Sequence, residues 1–201
     1  GGFLIQFPRR HSPTELEPMG SYPKLLSTFR QYGDWLETLN INNVGALNDA
    51  IQSGRADEIV LVSEALHEQN VADIAQQITQ KNSRIILIAG PSSSGKTTTS
   101  RRLAIQLLAR GISPFPLELD HYFIDRARTP LGEDGKPDFE DIEILDLARL
   151  AQDIEKILSG EKVQLPRFNF KSGMSEAGDF VQLKDGQPLI LEGIHGMNPR
   201  L

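Results

Sequence analysis

The chain has 201 residues, contains no cysteine and carries a formal net charge of −6. Its length is enough for one substantial domain with a smaller appendage. The lack of cysteine excludes disulfides and thiolate chemistry and fits a cytoplasmic protein. The acidic balance argues against a broad nucleic-acid-binding surface. No apolar run approaches membrane-spanning length, so we expect no membrane partner.

The first part of the chain predicts an extended segment, helices and one short strand. Residues 24–40 predict a helix with one apolar face, which is expected to pack on the following domain or to form a subunit contact. The apolar run at residues 59–62 is suited to a strand, and helical spacing of apolar residues at 71–78 predicts a further helix. Residues 1 to about 23 are predicted to be extended because four prolines interrupt them: Pro8, Pro13, Pro18 and Pro23.

Residues 90–97 read GPSSSGKT and fit the pattern G-x-x-x-x-G-K-[ST] of a phosphate-binding P-loop. Small residues let the backbone curl so that its N–H groups point at phosphate oxygens; Lys96 supplies a positive charge and Thr97 a hydroxyl ligand for Mg²⁺. A predicted buried strand at residues 85–89 precedes the loop and a predicted helix at residues 96–110 follows it. This setting makes a Ser/Gly-rich surface turn the weaker interpretation. The predicted nucleotide-binding residues are Gly90, Pro91, Ser92, Ser93, Ser94, Gly95, Lys96, Thr97 and Thr98.

Beyond the P-loop helix, strands and helices continue to alternate. Residues 115–119 predict a strand that ends at Asp120. Residues 147–158 predict a helix, and residues 188–191 predict a third strand that leads to Glu192.

This alternation implies a parallel sheet. We therefore predict an α/β fold, namely a P-loop NTPase-type parallel sheet flanked by helices, with a smaller N-terminal α+β region. Residues 1–80 are predicted to form the N-terminal region and residues 81–201 the P-loop domain. In such sheets ligands bind at the carboxyl ends of the strands, which is where Gly90, Asp120 and Glu192 lie.

Two carboxylates beside a P-loop favour a kinase. Asp120, followed by the aromatic pair Tyr122 and Phe123, could accept a proton from an incoming hydroxyl while helping to hold Mg²⁺. Glu192 could hold the metal through its water shell. Alternatively, Asp120 is a helix-cap or turn residue and Glu192 a solvated strand end. Their joint position at strand ends favours the catalytic interpretation.

Over residues 84–200 the chain resembles the uridine kinase and phosphoribulokinase group of P-loop kinases. Five motifs carry the resemblance in order: GPSSSGKTT, LDHYF, PDFEDIEILD, LPRFNF and LILEGIHGMNP. The chain is similar to a bacterial branch in which the kinase follows a region related to the N-terminal part of threonyl-tRNA synthetase. Residues 3 to about 80 are expected to be the end of that region. The resemblance implies phosphoryl transfer from ATP, with Mg²⁺, to the 5′-hydroxyl of a nucleoside.

The resemblance also implies roles for individual residues. Asp120 would be the general base and Lys96 would serve the phosphates, while Glu140 would bind the ribose hydroxyls. Phe168 and Phe170 would stack on the base, with ordinary core packing on a strand as the alternative. The implied substrate-binding residues are Tyr122, Phe123, Glu140, Phe168 and Phe170. The implied metal-binding residues are Thr97, Asp120 and Glu192.

The chain departs from the family pattern in two places. Gly173 and Ser175 stand where the uridine kinases carry a base-reading histidine and an arginine. The chain also stops at Leu201, before the arginine-bearing lid that family members have, so we expect it to be a fragment of a longer protein. By sequence, the arginines near the inferred site are Arg126, Arg128 and Arg167.

Three functions follow from these patterns. The leading prediction is a nucleoside kinase that uses ATP, or another NTP, and Mg²⁺. The second is a kinase for another small hydroxylated metabolite. The third is a nucleotide-binding regulatory or RNA-associated module without turnover, which the net negative charge disfavours. A homo-oligomer is possible in each case.

Overall fold

The computed structural model describes residues 5–8, 12–16, 18, 23–132 and 134–201. The extended segment predicted for residues 1 to about 23 lies mostly outside the described residues. The chain divides into two compact units, Gly1–Ala65 and Leu66–Leu201.

The first unit is built from helices in its described residues. It contains α1 (Pro23–Thr38), α2 (Val44–Gln52) and the beginning of α3 (Ala56–Lys81). The side chain of Asn43 caps α2 by accepting a hydrogen bond of 2.9 Å from the Ala46 N–H. The small core of this unit comprises Ile41, Ala50 and Ile59 with Leu36, Leu39 and Leu47 around them.

The helix predicted at residues 24–40 is confirmed by α1, but the strand predicted at residues 59–62 is wrong. These residues lie in the second turn of α3, after the helix-favouring acids Asp57 and Glu58 in its first turn. Only Ile59 of the run is buried, whereas Val60 and Leu61 are 59% and 70% exposed. A continuous apolar run has no period, so it could not distinguish one buried helical face from a buried strand.

The second unit is organised around a three-stranded parallel sheet in the order β1-β5-β2. The strands are β1 (Ile85–Ala89), β2 (Phe115–Glu118) and β5 (Leu189–Gly193). All residues of β5 are buried because it lies between the other two strands. This arrangement confirms the predicted α/β fold with a parallel sheet and flanking helices. It also brings the carboxyl ends of the three strands to one edge.

On one side of the sheet, α4 (Lys96–Leu108) and the later part of α3 pack together against β5. Arg102 and Glu68 join the two helices with an ion pair of 2.7 Å. Gly111 ends the α4 segment with a φ of +78°, and the Ile112 N–H closes the last turn on the Leu107 carbonyl at 3.0 Å. The core of this layer comprises Val71, Ala75, Ile78, Leu103, Leu107 and Ile190.

A second core contains α5 (Leu147–Leu158) and an antiparallel hairpin, β3 (Val163–Asn169) with β4 (Met174–Val181). Asp146 caps α5 by accepting from the Arg149 N–H at 3.0 Å. The hairpin is tied to the chain that follows β2, because the Ser175 N–H donates to the Asp125 carboxylate at 2.8 Å. No helix among the described residues has the length and apolar character needed to cross a membrane.

Adjacent leucines of α4 provide a test of this packing. Leu107 is fully buried and Leu108 is 55% exposed. We expect Leu107→Ala to lower the free energy of unfolding by about 2–5 kcal/mol, since it leaves a cavity. Leu108→Ala is the matched control, with an expected change within about 0.5 kcal/mol. Urea unfolding measures both, and equal losses would contradict the described orientation of α4.

Candidate active site

The loop between β1 and α4 has the backbone geometry of an anion site. Ser93 and Gly95 adopt left-handed φ angles of +59° and +87°. Alternation of left-handed and right-handed residues turns successive N–H groups toward one concave side. A Cβ at Gly90 would lie 2.7 Å from the Ser94 hydroxyl, so that hydroxyl would have to move if any other residue stood there. The loop then runs directly into α4, whose N-terminal dipole favours negative charge at the same place.

The first turn of α4 reaches across to the end of the central strand. The Thr97 hydroxyl donates a hydrogen bond of 2.5 Å to one oxygen of the Glu192 carboxylate. The Lys96 ammonium lies over its own loop and donates to the Pro91 carbonyl at 2.9 Å. Loop, helix and strand therefore present a cation, a hydroxyl and a carboxylate at one edge of the sheet.

Asp120 lies in a short 3₁₀ turn, Leu119–Tyr122, directly after β2. This turn packs closely on the end of β5, because a Cβ at Gly193 would be only 2.8 Å from the Leu119 Cβ. Burial raises the pKa of Asp120, and the negative charge of Glu192 raises it further, while Lys96 opposes the shift. A carboxylate with a raised pKa is better suited to accept a proton than an ordinary aspartate.

The residues at this edge fit a magnesium ion. Glu192 is buried with only 7% exposure, and its second oxygen has no hydrogen-bond partner in the described part of the chain. A hydroxyl and carboxylate oxygens are the hard ligands that Mg²⁺ prefers, with phosphates and water completing its shell. No group of three or more His, Asp or Glu side chains forms a closed metal cage among the described residues.

An aromatic cavity of about 250 Å³ is lined in part by Phe123, three residues after Asp120 in the chain. Phe123, Phe168 and Phe170 meet edge to face there, with ring centroids 5.1 to 6.3 Å apart. Phe168 lies in β3 and Phe170 is the first residue after it, so the hairpin presents both rings together. The full lining is Phe123, Ile124, Arg126, Thr129, Phe139, Ile144, Phe168 and Phe170.

Tyr122 points into the core behind the site. It is 1% exposed, and its hydroxyl donates to the Asp153 carboxylate at 3.2 Å. Arg149 supports the same carboxylate at 3.6 Å. Burial, together with the charge of Asp153, raises the pKa of Tyr122 well above its usual range. The Tyr122–Asp153 bond therefore fixes one end of the turn that carries Asp120.

His195 connects the chain after β5 to the loop that carries Glu140. It is 8% exposed, it lies against the backbone of Asp141, and its Nε2 has no hydrogen-bond partner within the described residues. Burial lowers its pKa, against the pull of nearby carboxylates that include Asp120. A few residues later, Arg200 pairs with Glu143 at 2.5 Å. Two contacts therefore hold this loop beside the end of the sheet.

The structure brings together most of the residues singled out from the sequence. The P-loop, Asp120 and Glu192 converge at one sheet edge, and Phe123, Phe168 and Phe170 share one cavity. Tyr122 and Glu140 do not line that cavity, since Tyr122 is in the core and Glu140 is exposed.

Sequence reasoning missed some cavity residues and the buried Tyr122–Asp153 bond. Among the missed cavity residues, Phe139 could have been found from the sequence, because it stands next to Glu140 in the PDFEDIEILD motif. No sequence pattern indicates the Tyr122–Asp153 bond.

A parallel sheet with a phosphate loop after its first strand and acidic residues at the ends of its neighbours defines an α/β protein of the P-loop class. Residues 85–200 match the Phosphoribulokinase / Uridine kinase family, to which the chain belongs.

The chain is also similar to curated proteins and to a solved structure. The chain is 26% identical over 110 residues to a uridine kinase of Leuconostoc citreum, covering 55% of the chain and 52% of that protein. It is 28% identical over 168 residues to the inorganic pyrophosphatase TTM2 of Arabidopsis thaliana, covering 78% of the chain and 23% of that protein. The chain thus spans between about a quarter and about half the length of these relatives.

The structure of a possible uridine kinase from Bacillus stearothermophilus superposes with a TM-score of 0.54 and 20% identity. It covers 66% of this chain and 74% of that one. At this identity the superposition shows a shared fold.

Removal of the Tyr122 hydroxyl tests the buried bond. We expect Tyr122→Phe to lower the free energy of unfolding by about 1–3 kcal/mol, because Asp153 keeps its burial but loses a donor. Tyr32→Phe, at a tyrosine that is 57% exposed, is the control and should change little. Denaturant unfolding measures both, and an unchanged Tyr122→Phe protein would contradict the role given to the bond.

The raised pKa of Asp120 predicts a pH-dependent stability difference. Because the pKa of Asp120 is higher in the folded state, protonation of Asp120 favours folding. Its contribution to the free energy of unfolding is complete below the unfolded pKa of about 3.9 and is lost as the pH rises through the folded pKa. Asp120→Asn should therefore be more stable than the unmutated chain at neutral pH, by a margin that shrinks on acidification. Urea unfolding with EDTA present, from about pH 4 to about pH 8, measures the margin. A margin that does not vary with pH would argue against the shift.

Proposed function

We propose that this chain carries the phosphoryl-transfer site of a kinase that moves the γ-phosphoryl group of ATP to the 5′-hydroxyl of a nucleoside. One observation carries the proposal: Asp120, with its raised pKa, shares a sheet edge with Lys96, Thr97 and Glu192. Nucleoside as the acceptor class is supported by the aromatic cavity that begins at Phe123. It is also supported by the uridine kinases among the relatives.

The chemistry follows from the position of each group. The acceptor oxygen forms a bond to the γ-phosphorus while the bond from that phosphorus to the β,γ-bridging oxygen breaks. Asp120 takes the proton that the acceptor hydroxyl loses. Lys96 leaves the Pro91 carbonyl to contact phosphate oxygens, and the loop N–H groups bind the rest of the anion.

Thr97 and Glu192 are the residues that would hold Mg²⁺, with Asp120 beside them. Mg²⁺, when bound, neutralises charge on the β- and γ-phosphates. Glu192 is already oriented for this task by the Thr97 hydroxyl. Both residues sit on elements that are fixed by the buried sheet, and such placement favours a precise site.

Three alternative functions use the same residues. Another small hydroxylated metabolite could be the acceptor, because Asp120 does not itself select the rest of the molecule. The name of the Arabidopsis relative suggests hydrolysis of pyrophosphate, in which water replaces the acceptor hydroxyl. A regulatory or RNA-associated module would bind ATP without turnover.

We expect the whole protein to act in the cytoplasm.

The decisive experiment incubates the chain with ATP and Mg²⁺ across a panel of nucleosides, and separately with pyrophosphate. Formation of ADP and nucleoside monophosphate in equal amounts supports the proposal. Release of orthophosphate from pyrophosphate at a comparable rate would favour the hydrolase, and ATP binding without either product would favour the regulatory module.

A variant pair assigns the general base. Asp120→Asn should lower kcat by about 10²–10⁴-fold while it leaves ATP binding intact. Glu118→Gln removes an exposed acid at the end of β2, two residues before Asp120, and should change kcat by no more than a few-fold. Steady-state ADP formation and nucleotide titration measure the two effects. Full activity in Asp120→Asn would exclude Asp120 as the base.

A further inference from the structure

The aromatic cavity has an uneven chemical lining. Six of its eight lining residues are apolar, and the two polar ones are Arg126 and Thr129. A hydroxyl such as that of Thr129 both donates and accepts hydrogen bonds, so it accommodates either kind of partner. Arg126 can only donate. The cavity therefore has one group that can distinguish an oxygen acceptor from an amino donor.

Arg126 is held at the cavity by contacts with the β3–β4 turn. Its backbone N–H donates to the Gly173 carbonyl at 2.7 Å, and its Nη2 donates to the Phe170 carbonyl at 2.8 Å. Gly173 makes room for this arrangement: a Cβ there would lie 2.9 Å from the Arg126 Cβ and 3.1 Å from its Nε. With a φ of +71°, that position also disfavours other residues. The guanidinium is thus placed by the turn itself.

Most of the donors of Arg126 remain available. The guanidinium carries five N–H groups, and the contact with the Phe170 carbonyl is its one hydrogen bond to the described part of the chain. Arg128, two residues later, lines other surface pockets and does not reach the aromatic cavity. The two arginines of one 3₁₀ turn therefore face different surroundings.

We propose that Arg126 is a specificity-determining residue, which selects a planar ring with a carbonyl oxygen at the edge remote from the sugar over the same ring with an amino group there. The three phenyl rings bind the faces and edges of the ring without regard to its polar groups. A guanidinium offers hydrogen bonds to a carbonyl oxygen but meets an amino group donor to donor. This inference rests on the proposed nucleoside kinase function and names its substrate class.

The test compares uridine, with a carbonyl at C4, and cytidine, with an amino group at C4. The unmutated chain should favour uridine by about 10- to 100-fold in kcat/KM, the range for a hydrogen bond to a charged group. Arg126→Ala should reduce this ratio to near one through loss of uridine turnover. Arg126→Lys keeps the positive charge but loses the planar fork, and we expect an intermediate ratio. Arg128→Ala is the matched control and should keep the original ratio.

Binding of each nucleoside, measured by calorimetry with the non-hydrolysable donor in place, separates the two levels of the proposal. Nucleoside turnover with a uridine-to-cytidine ratio that is the same in the unmutated chain and in Arg126→Ala would overturn the role of Arg126 and leave the kinase function standing. A chain that neither binds nor phosphorylates any nucleoside would overturn both. An equal loss of the uridine-to-cytidine ratio in Arg128→Ala would also overturn the role of Arg126, because the ratio would then depend on the whole turn and not on this one side chain.

Discussion

The hydrogen bond between Thr97 and Glu192 is the contact on which the geometry of the site depends. It joins the first turn of α4 to the end of β5, two segments separated by 95 residues in sequence. The bond can form because β5 is inserted between β1 and β2, which places its carboxyl end beside the phosphate loop. If β5 were at the edge of the sheet, Glu192 would have a neighbouring strand on one side only and water on the other. Burial of β5 thus serves both the stability of the core and the position of the acid.

The same burial concentrates negative charge. The negative charge of Glu192 lies close enough to raise the pKa of Asp120, with Lys96 as the opposing cation. Like charges in a poorly hydrated place cost free energy. Phosphate-bound cations relieve that cost, whereas an isolated anion would increase it. Such a concentration of like charge is typical of sites where stability is exchanged for reactivity.

The sequence identified the parts whose chemistry depends on local spacing. The P-loop motif, the strand before it, α4 and α5 follow from short patterns. The meeting of Asp120 and Glu192 at one edge of the sheet follows from the rule for parallel sheets, although β2 ends at Glu118 and Asp120 lies in the 3₁₀ turn after it. Residues 59–62 failed because four consecutive apolar residues carry no period. The contact of Tyr122 with Asp153, 31 residues away, and the use of Gly173 to accommodate Arg126 depend on the packing of distant segments. No local pattern encodes such packing.

The ties between the β3–β4 hairpin and the segment after β2 have a mechanical consequence. The cavity walls come from both segments, and three hydrogen bonds lock them together: Ser175 to Asp125, Arg126 to Gly173 and Arg126 to Phe170. Separating these two segments would strain all three bonds together, so a ligand cannot part them one bond at a time. The spacing of these two walls is therefore set when the chain folds, whereas Phe139 and Ile144 belong to a third segment that these bonds do not hold.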